Sequence, residues 1–181
     1  MEKRGREYII KKTFADAYLE LAEEKTLRKI SVSDIAGRCG LSRVTFYNHF
    51  NEKHDLLLWT YVSVFGDMME ELKDYDGWME KNTRFLAEHE SFFMQAYRYT
   101  DFLDWQKNWI CRNMCSFIAC EYGEEELTDS LKYQIQSYVF GAFSIFRSRL
   151  ENNEKHIIAD SSALDLKNMP EGLRRYFPER R

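Results

Sequence analysis

The chain has only two prolines, Pro170 and Pro178, and both lie at its end. Residues 6–168 therefore carry no ring that removes a backbone donor and clashes with the preceding turn. Strand-like alternation is scarce, and apolar side chains recur instead at spacings of three and four. The pattern predicts an all-α fold. A first helix is expected over 6–24, with Ile9, Phe14, Ala17, Tyr18 and Leu21 on one face, followed by a short linker that carries Lys25, Arg28 and Lys29. A long helix is expected from residue 51 toward 75, carrying Leu56, Leu57, Trp59, Tyr61, Val64, Phe65 and Met68. Residues 74–77 read as a turn. Helical stretches follow near 78–88, 90–98 and 101–122, and Gly123 ends the last of them. The acids Glu124, Glu125 and Glu126 suit the start of the next helix, expected over 127–150.

Residues 31–53 read SVSDIAGRCGLSRVTFYNHFNEK, two short helical patterns joined at a glycine. Ser31 is an N-cap with Asp34 as its capping-box partner. Ile35, Ala36 and Cys39 give the first helix an apolar stripe, Gly40 can take the left-handed conformation that stops it, and Ser42 caps the second. Phe46 and Phe50 turn inward with Leu41. Arg43, Val44, Tyr47 and Asn48 share the opposite stripe. An isolated helix gains little from exposing these side chains, whereas a major groove uses each. Arginine bonds guanine O6 and N7, asparagine pairs with adenine, and valine touches a thymine methyl. Thr45, Tyr47 and His49 can donate to phosphates, as can Lys53 at the start of the next helix. The spacing predicts a helix-turn-helix that holds double-stranded DNA.

This segment resembles the DNA-binding domain of the TetR family of bacterial transcription regulators. The residues that carry the resemblance are Asp34-Ile35-Ala36, the turn Cys39-Gly40-Leu41-Ser42, then Thr45-Phe46-Tyr47-Asn48-His49-Phe50, and Lys53. The run SRVTFYNHF followed by EKHDLLLW is similar to the branch of the dihydroxyacetone-kinase operon regulators. The resemblance covers about the first third of the chain. It implies DNA contacts from Ser42, Arg43, Val44, Thr45, Tyr47, Asn48, His49 and Lys53, with Ser31 and Ser33 touching the backbone from the preceding helix. Arg43-Val44 stands where many relatives carry small residues, which bears on the operator sequence and not on the binding mode. The resemblance also implies a homodimer built on the last long helices. The stripe Leu131, Ile135, Tyr138, Val139, Ala142, Phe143 and Phe146 is the expected interface, and the tail over 161–176, broken at Pro170, is a shorter second half. Two domains are expected: a DNA-binding domain over 1–53, its motif at about 31–50, and a helical dimerisation and effector domain over 54–181.

Charge divides in the same sense. Residues 1–55 hold 11 basic and 9 acidic residues, a net of +2, and the remainder holds 15 and 21, a net of −6. So modest an excess makes affinity depend on paired subunits and on placement of charge. The 44% apolar and 31% charged composition fits a globular protein, no apolar run reaches membrane-spanning length, and residues 1–12 lack the apolar region of a signal peptide. Cys39, Cys111, Cys115 and Cys120 make no secreted framework and read as reduced, buried thiols of a cytoplasmic protein. No metal-ligand set, cofactor motif, phosphate loop, HExxH, GxSxG or CxxC occurs, and no catalytic residue is assigned.

Residues 56–146 are rich in aromatics. Tyr97, Tyr99, Trp105, Trp109 and Met114 are candidates to line a small-molecule effector pocket, against the simpler account that they are core, and some relatives act through a protein partner instead. The expected function is a sequence-specific, DNA-binding transcriptional regulator, a repressor on a near-palindromic operator. The alternative is an activator or co-regulator of the same fold acting through a protein partner.

Overall fold

The computed structural model describes residues 2–65, 67–158 and 164–177, with side chains from residue 5 onward. In chain order the helices are α1 (Glu2–Glu24), α2 (Val32–Arg38), α3 (Arg43–Tyr47), α4 (Lys53–Val62), α5 (Met68–Glu71), α6 (Tyr75–Glu88), α7 (Glu90–Tyr99), α8 (Phe102–Tyr122), α9 (Asp129–Glu151) and α10 (Glu171–Arg174). No strand occurs among the described residues, and no helix among them is long and apolar enough to cross a membrane. The fold is all-α, with the helix-turn-helix at its N-terminal end.

The chain forms two compact units, Met1–Val64 with His89–Thr100, and Phe65–Glu88 with Asp101–Arg181. The first packs α1 against α2, α4 and α7. Phe14 is fully buried at its centre and meets Phe46 edge-on at 5.3 Å. A two-helix motif alone buries too little surface to be stable, and α1 supplies the missing cover. The later segment α7 belongs to this unit because its aromatics find partners there. Phe92 meets Tyr18 at 5.0 Å and Phe93 meets Tyr61 at 6.3 Å, both phenylalanines being fully buried. The division at 53/54 follows the motif, whereas the packing adds residues 54–64 and 89–100 to the same unit.

The single helix expected over 51–75 is not formed. Helix α4 ends at Val62, and a new start follows at α5. The Thr60 hydroxyl donates to the Leu56 carbonyl at 2.7 Å and the Ser63 hydroxyl to the Thr60 carbonyl at 3.1 Å. The Asp67 carboxylate then accepts from the Met69 amide at 2.9 Å and caps α5. Short polar side chains here compete for backbone groups that a continuous helix would use. Residues 74–77 are likewise no turn. A 3-10 turn over Leu72–Asp74 runs straight into α6, and Asp74 accepts from the Gly77 amide at 3.1 Å.

In the second unit α8 and α9 pack side by side. Gly123, at φ 104°, ends α8 in a conformation that a side chain would strain. The three glutamates after it form their own 3-10 turn, Glu124–Glu126, instead of opening α9, which Thr128 caps. The apolar stripe of α9 lies against its own chain and not on an open dimer face. Leu131, Ile135, Tyr138, Val139, Ala142 and Phe143 are buried within the single chain, and Phe146 is half-buried. They are the inward face, and no second subunit is needed to cover them. The tail is also core and not a bundle helix: Leu164, Leu166, Met169, Leu173, Tyr176 and Phe177 are all buried. Residues 161–163 of the expected tail helix, and Pro178, lie outside the described residues. The hydroxyls of Tyr75 and Tyr138 both donate to the Leu164 carbonyl, that of Tyr75 at 3.0 Å, and tie the tail to α6 and α9.

Candidate nucleic-acid interface

Ser31 caps α2 through a reciprocal box. Its hydroxyl accepts from the Asp34 amide at 3.1 Å, and its own amide donates to the Asp34 carboxylate at 2.7 Å. The Lys25 ammonium lies 2.8 Å from the same carboxylate. Lys25, then the Ser31 hydroxyl and amide, hold the Asp34 carboxyl well below the usual carboxylate range. Gly40, at φ 67°, stops α2, and the Leu41 amide donates back to the Ala36 carbonyl at 2.9 Å. The corner so made delivers the chain to Ser42, whose hydroxyl caps α3 by accepting from the Thr45 amide at 3.0 Å.

Helix α3 ends at Tyr47, two residues short of the expected His49, with Asn48 as its C-cap. Phe46 anchors its inner side between Phe14 and Phe50. Arg43, Val44, Tyr47 and Asn48 are thereby left on the outer face, with Val44 70% and Tyr47 50% exposed. This face therefore presents two exposed apolar side chains, Val44 and Tyr47, between the polar Arg43 and Asn48. Thr45 and His49 are half-buried, and the Thr45 hydroxyl lies 2.9 Å from that of Ser42. Ser33 is exposed on the first turn of α2.

Lys53 stands apart from the other expected contacts. Its ammonium donates to the Leu27 carbonyl at 3.1 Å and to the Ile30 carbonyl. Partial burial lowers its pKa, opposed by the charge of Asp34. It ties the start of α4 to the 3-10 turn Leu27–Lys29.

That turn also bears a residue the motif does not point to. Arg28 is exposed, and its guanidinium lies 5.7 Å from the centre of the Tyr99 ring. Charge in the linker was visible in the sequence, but its place beside α3 and α4 depends on tertiary packing.

The five candidate effector-pocket residues are divided. Tyr97 and Tyr99 belong to the first unit, and Trp105, Trp109 and Met114 to the second. Within the second unit Trp105 stacks on Phe102 and Trp109 at 6.0 and 5.9 Å, and Met114 is fully buried. Of the cysteines only Cys111 is buried, which pushes its thiol up to about 12; Cys39 and Cys115 are half-buried and Cys120 is exposed.

Residues 15–58 match the family described as bacterial regulatory proteins, tetR family. Over 92 residues the chain is 32% identical to the HTH-type dhaKLM operon transcriptional activator DhaS of Lactococcus lactis subsp. lactis (strain IL1403). That alignment covers 49% of this chain and 49% of the relative, so the chain matches about half the relative's length. A solved structure titled dihydroxyacetone kinase operon activator DhaS shares the fold, with a TM-score of 0.61 at 18% identity over 89% of this chain and 96% of that one.

Proposed function

We propose, from residues 15–58 that match the tetR family, that this protein is a transcription regulator that binds duplex DNA as a homodimer. The carrying observation is α3, fixed from inside by Phe46 and presenting Arg43, Val44, Tyr47 and Asn48 outward. Arg43 and Asn48 read base edges and Val44 a thymine methyl, while Tyr47, Ser33 and the cap serines set register on phosphates. With one such helix per chain, two chains related by a two-fold axis need a near-palindromic site.

The dimer forms through the outer face of α9. Tyr133, Ser137, Phe140, Gly141, Ser144 and Ile145 lie at spacings of three and four and are all exposed, Tyr133 by 71% and Ile145 by 57%. A Cβ placed on Gly141 would meet nothing within 4 Å, so a partner helix can approach closely at the middle of this face. The likeness to a relative named as an activator favours activation over the repression expected from the family at large.

Footprinting on the region upstream of the chain's own gene is expected to show two protected half-sites about one helical turn apart. A chain that sediments as a monomer at micromolar concentration and protects no DNA overturns the proposal.

A further inference from the structure

The first unit carries an open groove of about 420 Å³ beside α3, lined among others by Arg28, Tyr47, Asn51, Lys53, His54 and Tyr99. Tyr47 belongs to the reading face, and Asn51 and Lys53 enter α4, so the groove continues that face sideways. The 3-10 turn that forms its far rim is fixed from two directions. The Leu27 amide donates to the Gln95 side chain of α7 at 2.8 Å, and the Leu27 carbonyl accepts from Lys53. Arg28, the next residue, is therefore carried on a backbone whose donor and acceptor are both engaged, and its guanidinium rests over Tyr99.

Among the described residues its charge and that of the adjacent Lys29 have no ion-pair partner, unlike those of Lys25 and Arg38. Lys25 is paired with Asp34, and Arg38 with Glu24 and Glu20, at 2.8, 2.7 and 3.5 Å. Among the described residues no carboxylate lies within ion-pairing distance of Arg28. Glu52 is the one acidic residue among those that line the groove. An unpaired guanidinium carried on an anchored turn beside α3 matches the planar, bidentate demand of a phosphodiester.

We propose that this groove seats a strand of the DNA backbone flanking the bases read by α3, with Arg28 as the phosphate contact and Gln95 as the residue that positions it. The proposal rests on the DNA-binding reading above. It extends the interface beyond the helix-turn-helix, to a turn before α2 and to a helix that follows much later in the chain. Because a phosphate carries no sequence information, the contact adds affinity without adding specificity.

Fluorescence anisotropy tests this with the footprinted upstream fragment and a random-sequence duplex of equal length, across a salt series. Arg28→Ala is expected to weaken both duplexes by the same factor, on the order of tenfold, and to lower the slope of log K against log salt by about 0.9. Arg28→Lys keeps the charge and is expected to keep the slope. Gln95→Met is expected to weaken binding when Arg28 is present and to have no further effect beside Arg28→Ala. Unchanged affinity and slope in Arg28→Ala overturn the proposal, provided that Arg43→Ala still weakens the upstream fragment. Additive effects of the Gln95 and Arg28 changes overturn the positioning role. A wild-type protein that binds neither duplex overturns the DNA-binding reading itself.

Discussion

Arg43 and Lys53 are both cations of the proposed DNA-binding region, yet their surroundings differ. Arg43 is exposed at the start of α3, whereas Lys53 is half-buried with its ammonium on two carbonyls. Arg43→Ala is expected to cost about 1–3 kcal/mol of operator binding, to relax preference at one base pair, and to leave the melting temperature nearly unchanged. Lys53→Met is expected to cost about 1–3 kcal/mol of folding stability, because the Leu27 and Ile30 carbonyls lose their shared donor. Denaturant titration of both variants beside operator titration separates the two effects; equal loss of stability in both sinks the distinction. Asp34 gives a pH test. Its folded pKa is depressed below the ordinary aspartate value, first by Lys25 and then by the Ser31 hydroxyl and amide. Its contribution is therefore complete above the unfolded pKa, near 3.9, and is lost as pH falls through the folded value. Thermal melts of wild type and Asp34→Asn are expected to differ at neutral pH and to converge in strong acid. A gap that widens toward acid contradicts the capping role.

At the scale of the element, periodicity identifies a helix more surely than it identifies what covers the helix. The caps at Ser31 and Ser42, the stop at Gly40 and the inward Phe46 were all legible, because each depends on residues within four positions of itself. The break after Val62 was not, since it turns on which of several hydroxyls and carboxylates captures a backbone group. On α9 the apolar stripe was legible and its destination was not: an inward face and a dimer face share the same spacing. The outer face, with Tyr133, Phe140 and Ile145 among serines and Gly141, is less apolar, so spacing alone does not single it out. The two faces predict opposite phenotypes. Ile145→Glu is expected to leave a folded monomer by sedimentation that no longer protects both half-sites. Ile135→Ala, fully buried, is expected to lower stability by about 2–5 kcal/mol with the assembly mass unchanged. A dimer that survives Ile145→Glu and Phe140→Glu together places the interface elsewhere.

At the scale of the whole molecule, neither unit is a continuous stretch of chain. The first borrows α7 from beyond α6, and the second is completed by the tail. Part of the aromatic richness of residues 56–146 closes these units: Phe92 and Phe93 in the first, and Tyr75 and Phe117, which flank Phe177, in the second. The tail therefore has a testable weight. Fully burying a large apolar side chain stabilises by about 1.5–3 kcal/mol. Leu164, Leu166, Met169, Leu173, Tyr176 and Phe177 together contribute an amount comparable to the whole net stability of a small domain. Removing residues 164–181 also leaves the Tyr75 and Tyr138 hydroxyls, both buried, without the Leu164 carbonyl. Truncation after residue 163 is expected to abolish the cooperative unfolding of the second unit, with loss of amide protection in α6, α8 and α9 while α1 and α2 keep theirs. The first unit takes no residue from the deleted segment, so its hydrogen exchange serves as the internal control. Full protection of α8 and α9 in the truncated chain means that the tail lies on the second unit without holding it together.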